Sequence, residues 1–125
     1  MPSYLRPDDK PVIQFDPRLE ISPFALFRRL REKRAPRLVD LRTDRGGWTL
    51  RGAERGGEEW RPESPEQEVV LFDEDGDHAV TRADLLQREG FARVKALFGG
   101  LRLYRFSLDP RVVGEETFLV EPPRC

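Results

Sequence analysis

Apolar residues along this chain gather in short runs separated by charged stretches. The clearest such region is Val69 to Gly100, VVLFDEDGDHAVTRADLLQREGFARVKALFGG. Val69–Phe72 is a continuous apolar run, which reads as a strand. A polar loop follows, Asp73–His78, and then an amphipathic helix over about Ala79–Arg88. Gly90-Phe91, a second apolar run near Val94–Leu97 and Gly99-Gly100 complete the region. Strand, loop, helix, turn and strand make one βαβ unit, whose strands are normally parallel. In such units ligands usually bind at the loop beyond the strand's carboxyl end, facing a helix N-terminus. Asp73–His78 is therefore the first candidate site.

Upstream, Val12–Phe15 reads as a short edge strand just after Pro11, and Leu19–Ile21 as another. Ser22-Pro23 predicts a helix start, with Ser as N-cap and Pro at the first helical position. Phe24, Phe27 and Leu30, with Ala25 and Leu26, carry the apolar face to about Lys33. Arg28, Arg29, Arg31 and Arg34 lie on the other face, which reads as solvated surface complementing the helix dipole. Arg37–Leu41 predicts a buried strand, closed by the charged pair Asp40 and Arg42, and Trp48–Leu50 a short strand. Glu54–Pro65 predicts a long surface loop pinned by Trp60, with one helical turn at Ser64–Glu66. Leu101–Phe106 suits a terminal helix or an extended segment, Leu108–Pro110 a turn, and Thr117–Val120 a last short strand. The pattern βαβ…βαβ predicts an α/β fold with a central, mainly parallel sheet flanked by helices. Residues 1–18 form a lead-in, 19–110 the domain, and 111–125 an extension carrying the last short strand.

A length of 125 residues suits one domain with a real hydrophobic core. Hydrophobic residues at 38% and charged residues at 36% indicate a heavily charged globular surface. The net charge of −1 gives no electrostatic case for nucleic acid or an anionic membrane as partner. No apolar stretch approaches the roughly 20 residues that span a bilayer, and MPSYLRPDDK is no signal peptide, so a cytoplasmic location is expected. The single cysteine is Cys125, the last residue, which excludes an internal disulfide and is poorly placed for catalysis.

These residues resemble the rhodanese-like domain family. Its early signature, strand–helix–strand ending in Asp-x-Arg, is matched by Ile21-Ser22-Pro23, the Phe24–Lys33 helix and Leu38-Val39-Asp40-Leu41-Arg42. Of its Gly-His-Ile-Pro-Gly-Ala stretch only the end survives, as Leu50-Arg51-Gly52-Ala53. Its third signature is an apolar strand, a Cys-led loop, a helix, Gly-aromatic, a short strand and Gly-Gly. Val69–Gly100 follows that order, and the resemblance covers roughly Leu19 to Leu108. In active members, the resemblance implies, the Cys carries sulfur as a persulfide, held by loop amides and the helix N-terminus. At that position this chain has Asp73, and of the usual Cys-x-x-Gly form only Gly76 is kept; the later Arg and Ser positions fall on His78 and Ala79. Asp carries no persulfide. Asp73, Glu74, Asp75 and Asp77 together repel a sulfur or phosphate anion more than the helix dipole attracts it. The resemblance therefore implies an inactive rhodanese-like domain, a binding or regulatory module for a protein partner that the sequence leaves unidentified. Neither sulfurtransferase nor phosphatase activity is expected.

Two other readings of the loop stay open. Asp73–Asp84 resembles an EF-hand calcium loop, with oxygen ligands at Asp73, Asp75 and Asp77 and an acid at Asp84. Against it, His78 stands where the turn needs Gly, and a β-type run replaces the first helix. A weak Ca2+ or Mg2+ site at Asp73, Asp75 and Asp77 is the simpler form of that idea; otherwise no cofactor is expected. In the second reading, an enzyme of another class uses Asp73 and His78 as acid and base. The plainest reading of Asp73–His78 is a capped turn, with Asp77 as cap of a helix starting near His78.

Overall fold

The computed structural model describes residues 15–42, 48–108 and 117–120. In chain order the elements are β1 (Glu20–Ile21), α1 (Pro23–Arg31), β2 (Arg37–Asp40), β3 (Thr49–Leu50), β4 (Glu54–Arg55) and β5 (Val69–Phe72). They continue with α2 (Asp77–Arg88), β6 (Val94–Leu97), α3 (Gly100–Ser107) and β7 (Leu119–Val120).

Five strands form one sheet in the order β1-β6-β5-β2-β4, and every pairing is parallel. β5 lies at its centre, with Leu71 in register with Val39 on one side and Ala96 on the other. That position explains its apolar run, since both faces of a central parallel strand are covered. Alternation along β5 divides the core in two. Val70 and Phe72 join Leu26, Leu30, Leu97 and Tyr104 on the side of α1 and α3. Val69 and Leu71 join Val39, Ala83, Leu86 and Val94 on the side of α2. The expected α/β architecture is thus a three-layer one. β3 and β7 form a separate antiparallel pair, Thr49 opposite Val120 and Leu50 opposite Leu119. No helix among the described residues is long and apolar enough to cross a membrane.

Helix α1 starts as expected, with the Ala25 N–H donating to Ser22 Oγ at 3.1 Å and Pro23 at its first turn. Two details differ. Phe24 does not join the buried face and is 60% exposed. Arg29 is not simply solvated: it makes a two-point ion pair with Glu68, just before β5, and donates from Nε to the Arg34 carbonyl. This ties the helix to the central strand's entry.

The region 54–65 is also more ordered than a surface loop. Glu54 and Arg55 form β4, an edge strand beside Val39 and Asp40. Its charged sequence hides it, because only one neighbour and no apolar pairing define it. The Glu54 carboxylate is held by Arg37 and by the Trp60 indole N–H. Trp60 does pin the segment, lying 5.2 Å from the Arg37 guanidinium. In place of a helical turn at residues 64–66 there is a single turn closed by the Gln67 N–H on the Ser64 carbonyl. The helical alternative holds for the segment after Gly99-Gly100, which is α3. Of the strand expected over 12–15, only Phe15 is described; it is outside any strand and meets Phe98 edge-on at 5.4 Å. Asp109, Pro110 and Cys125 lie outside the described residues.

Candidate functional site

From β2 the chain moves outward to the edge strand β4, and then returns to β5 on the other side of β2. The carboxyl ends of β2 and β5 therefore flank a topological switch point, where open α/β sheets leave a crevice. Here the crevice is a cleft of about 810 Å³. Leu41 and Arg42 after β2, Arg55–Glu58 at β4 and Asp73–Asp75 with His78 after β5 line it. The loop predicted as the candidate site does sit at a cleft. Arg42, Arg55 and Glu58 were not predicted as part of it; their only signal was proximity to strand ends.

Asp73 directly follows β5 and is only 7% exposed. Its carboxylate turns back into its own loop. Gly76 N–H donates to Oδ1 at 2.6 Å, while His78 N–H and Ala79 N–H donate to Oδ2 at 3.0 and 3.2 Å. These amides lie at the N-cap, second and third positions of α2. Such amides lack partners within the helix and form the usual anion-binding end of a helix. In this chain the anion they bind is the chain's own side chain. Burial pushes the Asp73 carboxyl above its ordinary range, helped by the Asp75 charge, and outweighs the downward pull of the three amides.

Asp77 is therefore not the cap, contrary to the expectation from sequence. It is the first residue of α2, and Gly76 holds the N-cap position in a left-handed conformation, φ +92°. A side chain at Gly76 would be strained and would meet the Gly99 amide nitrogen at 3.0 Å. Gly100 is more constrained: an added Cβ would fall 2.5 Å from the Glu74 carbonyl carbon and oxygen. That close approach lets the first turn of α3 grip the loop. Leu101 N–H donates to the Asp73 carbonyl and Arg102 N–H to the Glu74 carbonyl, both at 2.9 Å. The loop is thus fixed by the amide ends of two helices.

Arg42 supports it from the other side. Its guanidinium pairs with Asp40 at 3.0 Å, reaches Glu74 at 3.4 Å and donates to the Trp48 carbonyl. The Asp40 hydrogen bond, with the Glu74 charge adding to it, holds Arg42 above its ordinary range. Arg55 donates to the Arg42 carbonyl at 2.7 Å. The cleft's guanidinium groups are thus engaged in holding its walls.

Asp73, Asp75 and Asp77 do not converge: both Asp73 oxygens face amides, and Asp75 Oδ1 accepts the Asp77 N–H. Among the described residues no group of three or more His, Cys, Asp or Glu could hold a metal ion. His78 is exposed at the cleft. Its contact with Asp73 runs through the backbone N–H, so the two side chains do not form an acid–base pair.

No family model matches this sequence, and no curated protein matches it. Solved structures do. A rhodanese-related protein from Thermoplasma volcanium superposes with a TM-score of 0.60 at 12% identity, over 71% of this chain and 92% of its own. The yeast protein Ygr203w, a protein tyrosine phosphatase of the rhodanese family, gives 0.58 at 16% identity, over 74% and 90%. The Alr3790 protein of Anabaena gives 0.58 at 22% identity, over 75% and 86%. The chain has the rhodanese-like fold.

Proposed function

We propose that this is a rhodanese-like domain that performs no sulfur or phosphoryl transfer and serves as a protein-binding or regulatory module. One observation carries the reading: the Asp73 carboxylate fills the ring of amides that a transferred anion would need. A carboxylate at this place cannot form a persulfide. It also denies the helix N-terminus to an incoming thiosulfate or phosphate, because the donors are already satisfied. Glu58, Glu74 and Asp75 around the same cleft add repulsion for any anion. What remains is a rigid, carboxylate-rich cleft, suited to contact with a basic protein surface.

The test is turnover. Thiosulfate with cyanide, and separately an aryl phosphate, should give no rate above buffer with the intact protein. Activity above background that disappears on Asp73→Asn would falsify the reading. The same assay covers an acid–base role for Asp73, which predicts loss of any activity in that variant.

A further inference from the structure

Across Asp75 from the cleft, a second groove of about 540 Å³ runs between the start of α2 and helix α3. Val80, Phe98, Leu103 and Phe106 give it an apolar lining. Helix α3 buries Leu101 and Tyr104 in the core, yet Leu103 and Phe106, three apart, line this groove. Phe106 is 84% exposed. A second apolar stripe on a short helix is the pattern of a helix contacted from two sides.

The charges at this groove select the partner. Asp75 and Asp77 are exposed at it, and among the described residues no ion pair reaches either. Their neighbour Glu74, by contrast, is held by Arg42. Glu20 also lines the groove, but it is buried and accepts the Asp16 N–H at 2.8 Å. Arg102 is the one guanidinium among the described residues lining the groove. The rim is net acidic and the floor is apolar.

We propose that this groove docks an amphipathic segment of a partner protein. One Leu- or Phe-sized side chain enters between Phe98, Leu103 and Phe106, and Lys or Arg residues beside it meet Asp75 and Asp77. The proposal rests on the reading of the domain as a binding module and moves the contact from the Asp73 loop to its outer side. The acidic rim disfavours an acidic segment or a phosphate-bearing surface. A second copy of this chain is the competing occupant, because Phe24 is exposed on α1 with Arg28 one turn later.

Panning a random peptide library against the whole chain tests this. Enriched peptides should pair a large apolar residue with Lys or Arg. Their affinity should fall about tenfold or more on Phe106→Ser and several-fold on the double change Asp75→Asn, Asp77→Asn. Phe106 is exposed, so its variant should melt with the wild type. No enrichment, or enrichment of peptides without basic residues, overturns the proposal. So do peptides that bind Phe106→Ser undiminished. If those peptides instead lose affinity on Glu58→Gln, binding belongs to the cleft, and the groove fails while the module reading stands. Sulfurtransferase turnover removes the module reading itself. Concentration-dependent self-association in sedimentation, abolished by Phe24→Asp, gives the groove to a second copy and overturns the assignment to a partner.

Discussion

Asp73 Oδ1 accepts the Gly76 amide at 2.6 Å, so the first residue after the central strand also closes the loop it opens. With the His78 and Ala79 amides on Oδ2, one side chain satisfies three donors at the start of α2. The side chain that sets the loop's geometry thus also occupies the amides at the helix end.

Asp73→Ala removes the acceptor of three N–H groups in a largely buried place. Leaving such donors unsatisfied typically costs about 1–3 kcal/mol. Urea unfolding should show a loss of about 2 kcal/mol, limited by water or buffer anions entering the space. A loss below a few tenths of a kcal/mol would mean the amides have other partners.

Gly100→Ala should be costly in a different way. Its φ of +67° is strained for any side chain, and the new Cβ would press on the Glu74 carbonyl. A loss of about 2 kcal/mol or more is expected, with amide shifts at residues 74–76 showing the loop displaced. Gly57→Ala is the control. It meets nothing within 4 Å and should stay within about 0.5 kcal/mol of wild type.

The pairing of Arg29 with Glu68 sets a pH dependence. The Arg29 hydrogen bond holds the Glu68 carboxyl below its ordinary range. The stability it adds is present above the unfolded-state value and is lost as pH falls through the folded value. Glu68→Gln should therefore lose about 1 kcal/mol at pH 7, and the difference from wild type should shrink at acid pH. Asp73 works in the opposite sense: its raised value favours the folded state at low pH, and that advantage is lost as pH rises through the folded value. A Glu68→Gln deficit that persists unchanged into acid would contradict the ion pair's role.

Much of the framework was legible in the sequence because it rests on local signals. Ser22-Pro23 marks a helix start by capping chemistry alone, and Val69–Phe72 marks a strand by its unbroken apolar run. β4 was not legible: Glu54 and Arg55 carry no apolar pattern, and only pairing with Val39 and Asp40 makes them a strand. The site divided the same way. The loop's position beyond a strand's carboxyl end followed from the βαβ pattern. The identity of the cap did not follow, because Asp77 has the sequence position of a cap. Asp73 takes that role only through a left-handed Gly76 that folds the loop back over its carboxylate. Arg42's reach to Glu74 spans 32 residues, a separation that no local pattern reports.

The occupied anion cradle is tested most directly by titrating thiosulfate into 15N-labelled wild type and Asp73→Ala while following the Gly76, His78 and Ala79 amides. In the wild type these resonances should stay unmoved up to millimolar ligand. In Asp73→Ala they should shift together, as the freed N–H groups take the anion. Saturable shifts at the same three amides in the wild type would contradict the central claim.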